Sequence, residues 1–266
     1  MVADLVREVA GDRAMVTQLM GEGVDPHTYK ASPGDVLAVN AADIVFYSGL
    51  HLEGKMAEML ARQARRKPAF AVCEHLPPEV VLMEGDAPDP HVWFDVSLWS
   101  RVAGIVAEAL TAFDPPGAEE YRRRGKELQA RLERLDEEVA REVASITPRE
   151  RRVLVTAHDA FRYFGKRYDI EVVGIQGIST DSEAGVRRIN ELVDFLEKRR
   201  VGAVFVESSV SERNVRALIE GCAARKHRVV VGGELYSDSM GKAGTPEGTY
   251  EGMVRHNVRA LVKALK

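Results

Sequence analysis

The chain has 266 residues, 45% of them hydrophobic and 29% charged, which is ordinary for a folded globular protein and enough for one large core or two smaller ones. That composition excludes disorder as the main state, and no apolar run approaches the ~20 residues that a membrane-spanning helix needs. With 37 basic against 41 acidic residues the net charge is −4, so the chain lacks the basic excess that nucleic-acid binding leans on and no nucleic-acid partner is expected.

Residues 1–6 read as a helix already under way, with no basic and apolar leader ahead of it. That helix has no strand before it, so a first strand is expected to be missing from the sequence. Ser32 and Pro33 start a second helix, with proline at its first position. Residues 43–47 and 69–72 are predicted strands, and 96–113 a helix. The clearest landmark is 115–147, bounded by Pro115 and Pro148. Its apolar residues Tyr121, Leu128, Leu132, Leu135, Val139, Val143 and Ile146 step by three and four along one helical stripe. At 1.5 Å per residue this helix is about 50 Å long. It separates an N-terminal lobe, 1–114, from a C-terminal lobe, 148–266. The C-terminal lobe alternates short apolar strands (153–155, 172–175, 203–206, 229–231) with helices starting at Asp159, at the Thr180–Glu183 capping-box pattern, at Ser211 and at Thr249. Such alternation predicts β/α units on parallel strands, an α/β fold.

One tripeptide occurs twice. Asp25-Pro26-His27 and Asp89-Pro90-His91 both fall in loops that lead into aromatic residues. Proline stiffens each turn, and the aspartate can orient the imidazole, as metal-binding histidines require. His158 sits where the strand 153–155 ends, the edge at which α/β sheets bind ligands. Acidic candidates on comparable loops are Glu207, Glu234 and Asp238. Three histidines and a carboxylate suit zinc or another divalent transition metal. His51 is a candidate for a supporting role, while His75, His227 and His256 read as solvated or capping residues. Cys73 and Cys222 lie far apart and read as small buried hydrophobes. No nucleophile elbow, phosphate loop or HExxH zinc-protease motif is present.

Taken together, these motifs resemble a known family. The stretches around Asp25-Pro26-His27, Tyr47-Ser48-Gly49-Leu50-His51-Leu52-Glu53, Asp89-Pro90-His91-Val92-Trp93-Phe94-Asp95, Val155-Thr156-Ala157-His158-Asp159-Ala160-Phe161, Phe205-Val206-Glu207-Ser208-Ser209 and Gly233-Glu234-Leu235-Tyr236-Ser237-Asp238 are similar to the TroA-like (cluster 9) solute-binding proteins of zinc and manganese ABC transporters. The resemblance implies two β/α lobes joined by one long backbone helix, with the metal site in the cleft between the lobes. It carries the four ligands over to His27, His91, His158 and Asp238, the third standing where some manganese-type members have Glu, and places Glu207 at the edge of the site. It further implies Zn2+ or Mn2+ as cargo, a membrane permease as partner, a monomeric chain without enzymatic activity, and a periplasmic or extracellular place, lipid-anchored in many members. Zinc-dedicated members often carry a histidine-rich loop before the second ligand. Residues 82–88 are short and have none, which argues against exclusive zinc uptake. A zinc-dependent hydrolase, with Glu207 as general base, and an adhesin on the same fold are the competing readings.

Overall fold

The computed structural model describes residues 1–266 and divides into two compact units, 1–136 and 137–266. In the first unit α1 (Val2–Ala10) buries Leu5, Val6, Val9 and Ala10 and packs on α4 (Val96–Phe113). The helix α2 (Pro33–Ala41) begins where predicted. The Ser32 hydroxyl accepts from the Asp35 N–H, and the Asp35 carboxylate accepts from the Ser32 N–H, a reciprocal cap. The strands β1 (Val45–Tyr47) and β2 (Ala69–Ala71) pair in parallel, connected through α3 (Ala57–Ala64). A hairpin of β3 (Met83–Glu84) and β4 (Ala87–Pro88) fills the short segment before the second DPH motif. α4 is apolar enough for a short membrane span by composition, but 61% of it is buried in the protein, as in a core helix.

The long helix α5 (Ala118–Ala144) follows a 3-10 turn at Pro115–Gly117 and is shorter at both ends than its sequence pattern predicts. Its apolar stripe is buried from Tyr121 to Ile146, with Leu132, Leu135 and Val143 fully enclosed. The division between the two units falls within this helix.

In the second unit β5 (Val153–Thr156) pairs in parallel with β6 (Glu171–Gly174), and β7 (Ala203–Glu207) with β8 (Val230–Leu235). The helices α6 (Arg162–Tyr168), α7 (Val186–Arg199), α8 (Arg213–Ala224) and α9 (Tyr250–Leu265) alternate with these strands. One core is built from Val153, Val155, Leu192, Leu196, Val204, Val206, Leu218 and their neighbours. β8 runs longer than predicted, through a bulge at Gly232, where Val204 faces Val231 but Phe205 faces Gly233. A Cβ on Gly232 would stand 3.0 Å from the Phe205 ring and 2.9 Å from Ala264 of α9, so only glycine lets the strand lie this close to both.

Predicted helix starts move in the second unit as well, and α8 begins at Arg213 instead of Ser211. The Thr180–Glu183 pattern caps nothing. α7 begins at Val186 behind Gly185, because Gln176 reaches the Ser182 carbonyl and holds this segment as a loop. α6 begins at Arg162 instead of Asp159, because residues 157–161 form the turn that carries His158. Both cysteines are free and buried, and burial pushes the Cys73 thiol up to about 12.

Candidate metal centre

The two DPH loops of the first unit are built alike but not identically. In each, an aspartate oxygen accepts the backbone N–H of the histidine two residues on, at 2.9 Å for Asp25–His27 and 3.0 Å for Asp89–His91. Asp25 spends its other oxygen on the Thr28 hydroxyl, at 2.9 Å. Asp89 uses the same Oδ1 on the ring of His91, 2.7 Å from Nδ1. His91 therefore donates from Nδ1 and keeps the electron pair on Nε2, the arrangement that orients a metal-binding imidazole. His91 is fully buried, with its ring edge-on to Trp93, whose centroid lies 5.3 Å away. Immediately beyond, Asp95 caps α4 by accepting from Leu98 N–H, so a core helix anchors this loop. The Nε2 atoms of His27 and His91 lie 3.4 Å apart. Two imidazole nitrogens at that separation share either a proton or a cation.

In the second unit His158 lies two residues beyond Thr156, the last residue of β5. The Thr156 hydroxyl donates to the His158 carbonyl at 2.7 Å, fixing the turn. The loop also packs tightly on β6, where a Cβ on Gly174 would stand 2.6 Å from the Asp159 backbone nitrogen. Glu207, the last residue of β7, takes hold of His158 with both oxygens. Oε1 accepts the backbone N–H at 2.9 Å and Oε2 accepts from Nδ1 at 2.6 Å. The other ring nitrogen, Nε2, stands 3.2 Å from Asp238 Oδ2, in the loop after β8. All three side chains are buried. Burial by itself lowers the proton affinity of His158, but Glu207 and Asp238 outweigh it and hold the imidazole well above its ordinary range. In this form the ring is an imidazolium between two carboxylates. A divalent cation can replace the proton on Nε2 while Nδ1–H stays with Glu207.

Of the three acidic candidates, the structure brings Asp238 to Nε2 of His158 and Glu207 to Nδ1, and leaves Glu234 exposed. The remaining histidines lie in other surroundings. His51 is exposed at φ +65°, at the end of a left-handed run from Gly49. His75 is exposed beside Phe70, His227 meets the Val201 carbonyl, and His256 meets the Glu234 carbonyl. The Glu207–His158 clamp joins residues 49 positions apart, hinted at by the placement of Glu207 at a strand end and by the family resemblance.

Residues 1–264 match the family described as ZnuA, the periplasmic zinc-uptake complex component A. The chain belongs to this family. Among ZnuA-type relatives, the manganese-binding lipoprotein MntA of Bacillus subtilis is 48% identical over 267 residues, covering 100% of this chain and 87% of MntA. The zinc-binding protein TroA of Treponema pallidum is 47% identical over 266 residues, covering 100% of this chain and 86% of TroA. The solved structure of the periplasmic zinc-binding TroA superposes with a TM-score of 0.97, covering 100% of this chain and 96% of that one. PsaA of Streptococcus mitis, named a manganese ABC transporter substrate-binding lipoprotein, is 30% identical and is covered over 86% of its length by 99% of this chain. Relatives of nearly equal identity thus carry the names of different metals.

Proposed function

We propose that this chain captures a divalent transition metal, zinc or manganese, outside the cytoplasm and delivers it to the membrane permease of an ABC transporter. In this reading the ligands are His27 and His91 from one lobe, residues 1–114, and His158 and Asp238 from the other, residues 148–266, with the segment 115–147 connecting them. The observation that carries the reading is the His158 triad. A buried imidazole is held at Nδ1 by one carboxylate and turned at Nε2 onto another, the outer-sphere arrangement of a histidine that exchanges a proton for a metal. Three nitrogen donors and one carboxylate oxygen satisfy zinc in a tetrahedral set, and the carboxylate keeps manganese within reach. The names of the zinc- and manganese-binding relatives agree with that range.

The protein acts as a carrier and not as a hydrolase. Four protein ligands leave no position for the water that catalytic zinc sites keep. Glu207 accepts from His158 with both of its oxygens, so it is engaged as a support and not poised as a base. The functional unit is a single chain, and nucleic acid plays no part. The test is elemental analysis of protein purified without added metal, followed by competition between zinc and manganese. Zinc or manganese at one ion per chain is expected. Protein that carries no metal and gains none on titration would overturn the reading.

A further inference from the structure

The loop that carries Asp238 leaves the sheet at a defined point. The pairing of β7 with β8 ends at Glu207 and Leu235, where the Leu235 carbonyl still accepts from Ser208 N–H at 3.0 Å. At the next residue, Tyr236, the strand partner is replaced by a side chain. Asn257 of α9 accepts from the Tyr236 N–H with Oδ1 at 2.9 Å and donates to the Tyr236 carbonyl from Nδ2 at 2.7 Å. Only one orientation of the amide meets both groups, so the carboxamide stands in for a peptide of a neighbouring strand. Asn257 is 3% exposed, and its buried carboxamide left without the Tyr236 peptide would be costly. Its neighbour His256 reaches the Glu234 carbonyl at 3.0 Å and packs its ring 4.9 Å from that of Tyr236. One turn face of α9 thus grips the chain two residues before Asp238.

The residue before these two reaches α5. Arg255 pairs through Nε with both oxygens of Glu138, at 3.1 and 3.0 Å, and through Nη1 with Glu251 at 3.2 Å. Three consecutive residues of α9 therefore tie the long helix on one side to the Asp238 loop on the other. We propose that Asn257 is a positioning residue for the metal site, which sets Asp238 against His158 by fixing the backbone at Tyr236. The proposal rests on Asp238 being a metal ligand. Asn257 touches no metal itself. It sets how much of the binding energy of Asp238 is realised, and the Arg255–Glu138 pair makes α5 the element to which that setting is referred.

The test is a double-mutant cycle read by calorimetric titration with Zn2+. Asn257→Ala should weaken zinc binding about tenfold, on the scale of losing an outer-sphere partner. In the Asp238→Ala background the same substitution should change affinity by less than about twofold, because the group it positions is gone. Asn257→Asp, which keeps the acceptor for Tyr236 N–H and loses the donor, should fall between wild type and Ala, and serves if the alanine variant does not fold. Wild-type zinc affinity in the folded Asn257 variants, whatever their melting temperature, would make Asn257 a purely structural residue and overturn the proposal. Full additivity with Asp238→Ala would overturn it as well. If Asp238→Ala alone bound zinc as the wild type does, the ligand assignment beneath the proposal would fall, a result distinct from either of the others.

Discussion

His27, His91 and His158 differ in what stands behind each ring. Asp89 holds Nδ1 of His91, Glu207 holds Nδ1 of His158, and His158 alone faces a second carboxylate at Nε2. Its raised proton affinity means that a cation binding at Nε2, as proposed, displaces a proton there at neutral pH. Zinc titrations at pH 7 in buffers of different ionisation enthalpy should therefore show net proton release. Identical heats in all buffers would contradict it. A histidine whose folded pKa lies above the ordinary 6.5 stabilises the metal-free protein fully below that pH and loses the contribution as pH rises through the raised value. Metal stabilisation runs the other way, because protons compete for the same nitrogen. The zinc-induced rise in Tm should be larger at pH 7 than at pH 5, and paired thermal melts at each pH measure it. At the same position, His158→Glu replaces nitrogen by a harder oxygen donor. The zinc-to-manganese affinity ratio should fall by about tenfold in competition titrations.

Elements with local signals were legible in the sequence, and elements set by distant contacts were not. α4 keeps its predicted bounds because Asp95 caps one end and Asp114-Pro115 breaks the other. The α5 stripe was readable from spacing alone, and its burial follows. Replacing the fully buried Leu132 by Ala should cost about 2–5 kcal/mol, seen as a lower urea midpoint with little change in slope. The pattern at Thr180–Glu183 misled because a capping box is only a local preference, and Gln176 holds the Ser182 carbonyl in a loop. The three histidines stood out through a repeated tripeptide and a strand end. Asp238 did not, since three carboxylates occupied comparable loops and only resemblance chose among them. The clamp of Glu207 on His158 and the grip of Asn257 on Tyr236 are tertiary contacts over 49 and 21 residues, beyond the reach of any local pattern.

At the scale of the whole molecule, the proposed function calls for one metal ion per chain. Zinc takes four ligands, so the proposed set of His27, His91, His158 and Asp238 amounts to one site per chain. The calorimetric titration of zinc into wild-type, His91→Ala and His158→Ala protein tests this most directly. The predicted result is one ion per wild-type chain and a loss of at least about 100-fold in each variant, since a structural zinc site of roughly 10–16 kcal/mol is divided among four ligands. Two ions per wild-type chain, or wild-type affinity surviving in either variant, would contradict the proposed four-ligand site.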